Sequence, residues 1–561
     1  MIGFSEVSIQ KVIRLVLLIS IFVLTVSILV LSSVPPVSRD ELTHHLAVPK
    51  LYLEHGGIYE IPSIIFSYYP MNMDLLYLGP LFFGNDIIPK YIHFSFALFT
   101  ALLIYHYLRK RLDSLYGILG ALFFLSIPVI VKLSITVYVD LGLIFFSFAS
   151  LLFMMEWCDK NHAFRFLFFS ALCCGLAMGI KYNALILFVL MSLFVPFVYI
   201  RSAPVESVSS FAAIRHAVFF VLIALLCFSP WMIRNYVWKK NPVYPLYHQF
   251  FSKPTVEKGK ETGKIISTHY TGKQIGPMAL RKYLYKETWW QTALIPIRIF
   301  FQGEDNNPKY FDGKLNPFLF LLPFFAFYRY KKQDSRLPVV FEMKIMFLFS
   351  VLFLLFAFFA QDARIRYFSP IIPPLVVLSM FGLHNLVERT RQGSPFFSRS
   401  IPHLILGAFA GWMLWMNAGY VVDQFRYVEP MTYLTGQVDR DQYIEKYRPE
   451  YAVMRYANQH ISEDAVILPV FIGNRYYYSD RKMIFNFSLF AKIVKEANRP
   501  DEMLSELKKR GITHIMIGYD LFNSWANNNF SKKEKIQIER FFSKQIDYLY
   551  SKNGYGLYRI E

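Results

Sequence analysis

The sequence predicts a multi-span α-helical membrane protein with a small α/β domain outside the membrane at its C-terminus. Three observations predict it. The chain of 561 residues is 55% hydrophobic and 18% aromatic, above the roughly 45–50% apolar share of soluble domains. Apolar runs such as Val12–Leu31, Tyr138–Met155, Ala184–Ile200 and Met343–Ala360 approach the ~20 residues that cross hydrocarbon. Beyond about residue 421 these runs stop, and short strand-like and helix-like segments alternate.

Marking the apolar runs gives about eleven spans, near 12–33, 91–108, 114–132, 138–156, 164–181, 183–200, 216–233, 315–329, 343–360, 367–387 and 401–420. The first is longer than a signal-peptide core and has no small-residue cleavage site before Pro35, so it reads as an uncleaved span. The net charge of +19 does not point to nucleic acid. Its cations collect in short segments between apolar runs, the pattern of orientation signals and anionic lipid contact. Lys11, Arg14, Arg109–Arg111, Lys160, Arg165, Arg201, Arg215, Arg329–Lys332, Lys344, Arg389, Arg391 and Arg399 fall on the side of the N-terminus. The short turns opposite hold only Lys132, Lys181, Arg364 and Arg366. The N-terminus is therefore expected in the cytoplasm and the C-terminal domain outside it, in a multi-pass cell-membrane protein. Cys158, Cys173, Cys174 and Cys227 lie in or beside spans and read as small hydrophobes rather than a disulfide framework.

Residues 1–420 thus form a membrane domain with outer loops at about 34–90 and 234–314, and residues 421–561 a soluble α/β domain. In the first loop a helical stretch is expected from Asp40 to His55, then a turn at Tyr68-Tyr69-Pro70 and an interfacial helix over Met73–Phe83. The second loop is Lys-rich around Lys253–Lys273. In the last domain helices are expected at Tyr447–His460, Glu502–Arg510 and Lys532–Phe542. Strands are expected at Ala465–Val470, Met483–Phe487, His514–Gly518 and Tyr555–Ile560.

Charges beside a membrane are costly to bury and so are informative. Asp40-Glu41 follows the first span directly, with His44 and His45 next. A carboxylate fixed there can take a proton from a hydroxyl, or it can merely start a helix. Asp40/His44 and Glu41/His45 also stand at i,i+4, a spacing open to a metal. Asp140 opens the fourth span, and Lys181-Tyr182 occupies a tight outer turn; a helix-start charge and a snorkelling lysine are the plain alternatives. Arg364 and Arg366 run against the positive-inside trend, and a phosphate is a natural partner for their guanidinium forks. Pairing with Asp362 or with lipid headgroups is the other reading. Together these residues place carboxylates and cations at one membrane boundary, the set that a reaction between a lipid phosphate and a hydroxyl acceptor needs.

These residues resemble the C-type (GT-C) membrane glycosyltransferases, in particular the protein O-mannosyltransferase and aminoarabinose-transferase-like branch. The matching features are Asp40-Glu41, Tyr69-Pro70, Tyr138-Val139-Asp140 and the Gly175–Tyr182 stretch. Pro230-Trp231 with Arg234-Asn235 and Asn241-Pro242, and Arg364-Ile365-Arg366-Tyr367, match as well. The resemblance implies a polyprenyl-phosphate sugar as donor and a lipid, glycan or protein hydroxyl as acceptor. It implies Asp40 as base, Glu41 or Asp140 orienting substrate, and inversion at the sugar. Lys181, Arg364 and Arg366 would neutralise the leaving phosphate, and His44, Tyr69, Tyr182, Arg234 and Tyr367 would complete the substrate site. No cofactor, catalytic metal or nucleic acid is implied, and a bacterial inner membrane is the implied location. The Trp-Trp-Asp signature of oligosaccharyltransferases is missing: Trp289-Trp290 precedes Gln291, in an expected loop. Two competing readings are a lipid-linked-sugar transporter or flippase, which would carry polar groups at mid-membrane, and an envelope glycan polymerase or ligase.

Overall fold

The computed structural model describes residues 6–204, 209–251, 277–327, 337–360, 362–392 and 401–560. The Lys253–Lys273 stretch and the expected orientation signals Arg329, Lys331, Lys332 and Arg399 lie outside the described residues.

Every apolar run marked in the sequence is helical. Among the described residues, seven helices are each long and apolar enough to cross a membrane: Lys11–Ser32, Ile88–Arg111, Asp140–Asp159, Ala184–Ser202, Ser210–Lys239, Val339–Phe359 and Ile365–Glu388. An eighth crossing is bent by 66° between Ser114–Ser126 and Pro128–Ser134. Pro128 explains the bend, because proline has no N–H to continue the ladder but suits the first turn of a new helix. The stretches Phe164–Met178 and Phe318–Phe327 are shorter, and the helix Ile401–Val428 runs past residue 420 into the soluble region.

Close backbone approach fixes how the long-loop end is assembled. A Cβ on Gly175 would stand 2.6 Å from the Ala224 carbonyl oxygen, and one on Gly179 would stand 2.0 Å from Asn72 Nδ2. Only glycine lets Asn72 seat on the 178–183 turn, where its N–H donates to the Gly179 carbonyl at 2.8 Å. Trp231 Nε1 donates to Asn72 Oδ1 at 2.8 Å, tying in the Ser210–Lys239 helix. The first loop, the Lys181 turn and the Pro230-Trp231 helix are thereby one packed unit.

Within the first loop the expected single helix is two. Residues Glu41–His45 form a π-helix and Ala47–His55 an α-helix. The expected interfacial helix is likewise divided, into Asn72–Leu76 and Leu78–Phe82, and leaves Phe82 and Phe83 72% and 82% exposed. Trp289-Trp290 opens a short helix rather than a loop, because Thr288 and Gln291 form a capping box.

The C-terminal region carries a five-stranded sheet in the order β2-β1-β3-β5-β4. Its strands are β1 (Val466–Val470), β2 (Lys482–Met483), β3 (His514–Gly518), β4 (Ile546–Lys552) and β5 (Tyr555–Ile560). β1 pairs parallel with β2 and β3, and β5 pairs antiparallel with β3 and β4. The expected strand Met483–Phe487 stops at Met483, because Asn486 caps a helix that starts at Phe487. The expected helix Tyr447–His460 is split into Arg440–Tyr447 and Tyr451–His460. Pro449 breaks it, since the residue before a proline is pushed out of the helical region.

Candidate active site

The site begins where the first span ends. Helix Glu6–Ser32 delivers the chain through Pro35 and Pro36 to Asp40, on which the π-helix begins. Asp40 Oδ2 accepts a hydrogen bond from Arg366 Nη1 at 2.6 Å, in an ion pair with 23% and 13% of the two side chains exposed. Arg366 lies over two aromatic faces, 5.2 Å from the Tyr138 ring centre and 5.3 Å from that of Tyr367. Its Nε is buried without a hydrogen-bond partner in the protein. Burial pushes the Asp40 carboxyl up, but the guanidinium and the neighbouring histidines outweigh that and hold it well below the usual carboxylate range.

Glu41, expected as the partner carboxylate in catalysis, is 1% exposed. Both its oxygens accept main-chain N–H groups at 2.6 Å, Oε2 from Ser38 and Oε1 from Val137. The carboxylate ties the first loop to the turn that precedes Asp140, with one main-chain N–H on each oxygen, and it borders the cavity. His93 fixes the same turn. Its Nε2 accepts the Leu141 N–H at 3.0 Å, so its Nδ1 carries the proton and faces the Leu133 and Thr136 carbonyls at 2.9 Å.

Asp40 and Arg366 open into a cavity of about 480 Å³, within the ~300–1,000 Å³ of ligand pockets. Arg364 lines it too and pairs with Asp312 at 3.6 Å, not with Asp362. Asp305, Asp312 and Lys314, which also line it, carried no signal in the sequence, and Lys132 stood out there only as an outer-turn cation. Lys132 sits 3.2 Å from Asp305 and 3.4 Å from Asp312, and no motif links positions so far apart. The soluble domain supplies Tyr443, Tyr447 and Arg448 to the same wall.

The remaining expected residues form a layer behind Arg366 rather than lining the cavity. Lys181 Nζ donates to Asp140 at 2.7 Å and lies 5.1 Å from the Tyr367 ring centre. Lys181 thus pairs with a carboxylate that is 1% exposed, while 17% of its own side chain stays exposed. Arg234 donates to the Tyr69 carbonyl at 3.0 Å and sits over Trp231 and Trp238, at 4.5 and 5.0 Å. The Tyr182 hydroxyl donates to the Tyr244 carbonyl at 2.9 Å, and its ring meets Tyr69 at 5.2 Å. His44 stacks on Phe66 at 4.4 Å, and burial pushes it down to about 3. The i,i+4 pairs do not converge on a metal: His45 Nδ1 is bonded to Asp74 Oδ1 at 2.6 Å, and both Glu41 oxygens are taken.

Residues 77–233 match the family model of dolichyl-phosphate-mannose-protein mannosyltransferases. The whole chain superposes on the crystal structure of ArnT from Cupriavidus metallidurans in the apo state, with a TM-score of 0.56 at 12% identity. That match covers 96% of this chain and 97% of the other. The chain has the fold of that structure, the GT-C membrane fold. The same ArnT bound to undecaprenyl phosphate gives 0.53 at 13% identity, covering 96% and 97%. The oligosaccharyltransferase AglB from Archaeoglobus fulgidus, in complex with an inhibitory peptide and a dolichol-phosphate, gives 0.50 at 9%, covering 95% and 74%. No curated protein matches by sequence. The segment matched by the family model carries Tyr138, Asp140 and Lys181, whereas Asp40, Arg364 and Arg366 lie outside it.

Proposed function

We propose that the chain transfers a sugar from a polyprenyl-phosphate carrier to a hydroxyl acceptor, with Asp40 as base and inversion at the anomeric carbon. The observation that carries the reading is the Asp40–Arg366 ion pair at the mouth of a cation-rich cavity. The undecaprenyl phosphate bound to the ArnT relative and the dolichol-phosphate bound to AglB support the carrier class.

In the resting site Arg366 holds Asp40 ionised but makes it a weak base. A donor phosphate entering beside Arg366 competes for its fork, and the buried Nε is an unused donor for it. As the guanidinium turns to phosphate, Asp40 loses its strongest stabiliser and becomes more basic. The acceptor hydroxyl then gives its proton to Asp40, its oxygen bonds to the anomeric carbon, and the bond from that carbon to the phosphate oxygen breaks. The polyprenyl phosphate leaves with one more negative charge, which Arg366 and Arg364 stabilise as it develops. Lys314 adds positive potential to the same cavity, while Lys132 is held between Asp305 and Asp312.

We place the cavity on the extracytoplasmic side of a cell membrane. The described basic residues Lys110 and Arg111 lie at the opposite end, bridged to Glu156 and Asp159 at 2.5 Å, and the positive-inside trend puts that end in the cytoplasm. Deleting the gene in its host tests the transfer reading. Mass spectrometry of membrane lipids should show a polyprenyl-phosphate sugar accumulating while one glycosylated lipid, glycan or protein disappears. Unchanged lipid-linked sugars and unchanged acceptors would overturn it.

A further inference from the structure

The backbone on both sides of Asp40 is held by the soluble domain. The connection from β1 to β2, residues 471–481, carries Tyr476, Tyr477 and Tyr478 onto the first loop. The Tyr478 hydroxyl donates to the Pro36 carbonyl at 2.7 Å, ahead of Asp40. The Tyr476 and Tyr477 N–H groups both donate to the Leu42 carbonyl, at 3.0 and 3.1 Å, just after it. Lys50 Nζ, on the next helix, donates to the Tyr477 and Ser479 carbonyls at 3.0 Å and to Asp480 at 2.8 Å.

The strip is itself anchored. Asn458 Nδ2 donates to the Tyr478 carbonyl and the Asp480 N–H to Asn458 Oδ1, both at 2.9 Å. The Tyr477 hydroxyl donates to Asp86 at 3.1 Å, beside the Arg440–Asp86 ion pair. The π-helix Glu41–His45 that these contacts grip is a rare conformation, poor in its own hydrogen bonding, and it persists where surrounding structure supports it. Displacing a reacting group by a fraction of an ångström loses much of the advantage of positioning it.

We propose that the Tyr476–Tyr478 strip is a positioning device for the transfer reaction: by clamping Pro36 and Leu42 it sets the Asp40 carboxylate against Arg366. This rests on Asp40 being the base. The soluble domain accordingly contributes to turnover by fixing the base, not by binding donor.

The experiment uses the full-length protein in nanodiscs and two readouts. Hydrogen exchange at the amides of Ser38 to Leu46 reads the clamp whatever Asp40 does. Turnover on the native donor lipid, followed as release of the polyprenyl phosphate, reads its consequence, and binding of undecaprenyl phosphate alone reads the donor side. Tyr478→Phe removes a hydroxyl and no packing volume. It should speed exchange across Ser38–Leu46 and lower kcat by about five-fold, the loss of one ordinary hydrogen bond. Undecaprenyl phosphate binding should stay within two-fold, roughly experimental scatter. Tyr548→Phe, whose hydroxyl meets only Ser551 in the distant strand β4, should match the wild type. In an Asp40→Asn background the kcat effect of Tyr478→Phe should vanish, because the clamp acts through that carboxylate. An unchanged exchange rate, or an equal kcat loss with asparagine at position 40, overturns the proposal. Faster exchange with a fully active Asp40→Asn variant leaves the clamp standing and removes Asp40 as the base.

Discussion

Arg366 Nη1 donates to Asp40 Oδ2 at 2.6 Å across 326 positions of sequence, joining the residue that follows the first span to the opening of the penultimate one. Two solitary charges in the sequence are one electrostatic unit in the fold. Aromatic faces on Tyr138 and Tyr367 sandwich the guanidinium and keep water from separating the pair. The pair keeps Asp40 ionised, and in the proposed reaction its disruption makes Asp40 basic enough to take a proton.

Changing Arg366 should separate these two roles. With the wild-type pair, Asp40 keeps its charge as pH falls through the ordinary carboxylate range, so the acid limb of kcat/KM should lie below about pH 4. In Arg366→Gln the burial that raises the carboxyl remains while the cation that lowers it is gone. The acid limb should therefore move upward, to pH 5 or above by roughly one or more units. Arg366→Lys should restore the limb but recover only part of kcat, because a point charge cannot form the bidentate fork. A limb that does not move in Arg366→Gln would show that Asp40 does not set it.

Glu41→Gln should act on stability before it acts on chemistry. Glutamine presents an NH2 group where one of two main-chain N–H groups now finds an oxygen. The loss should be about 1.5–3 kcal/mol, the worth of a hydrogen bond to a charged group, read as a lower midpoint of heat denaturation in detergent. A variant that is inactive at an unchanged midpoint would return Glu41 to the reacting groups.

Asp74 supplies a pH-dependent term with a defined sign. Burial pushes its carboxyl up to about 8 and pushes its partner His45 down to about 3, so at neutral pH the carboxylic acid donates to a neutral imidazole. The folded protein then holds a proton on Asp74 that the unfolded chain releases near pH 4, so the Asp74 contribution to stability falls as pH rises from about 4 to about 8; below about pH 6.5 the neutral His45, which is protonated in the unfolded chain, opposes it. Asp74→Asn keeps a neutral donor towards His45. Its denaturation midpoint should decline less than that of the wild type between pH 5 and pH 8, by an amount set by the ~1.4 kcal/mol per pH unit of one proton. Parallel declines would mean that Asp74 is ionised in the folded state.

A C-terminal alkaline phosphatase fusion should be active and a cytoplasm-dependent fluorescent fusion dark. The reverse pattern would put the cavity on the cytoplasmic side, where nucleotide-activated donors rather than flipped lipid carriers are found.

Much of the fold was legible because each span is a local property: twenty apolar residues declare themselves without knowledge of their neighbours. Asp40, Arg364 and Arg366 were legible for a related reason, since charge at a membrane edge is locally anomalous. The anchoring of Glu41 was not legible, because its partners are main-chain N–H groups of Ser38 and Val137, which carry no sequence signature. The pairing of Lys181 was not legible either, because Asp140 is two spans away in the chain but 2.7 Å away in space. The Lys132–Asp305–Asp312 group and the tyrosine strip were invisible for the same reason, as both depend on contacts between segments hundreds of residues apart. The strand β4 was missed because its residues Ile546–Lys552 are largely half-buried or exposed and lack a clear alternation.

Asp40→Asn tests the central claim most directly. Asparagine keeps the size of the side chain and an acceptor for Arg366 but cannot take the acceptor's proton. Turnover measured as release of the polyprenyl phosphate from the native donor should fall by about 10²–10⁴-fold, the usual worth of a general base. Binding of undecaprenyl phosphate should be retained, because the cations that hold it are untouched. Turnover within a few-fold of the wild type would contradict the account, and Asp40 would then be no more than the residue that starts the π-helix.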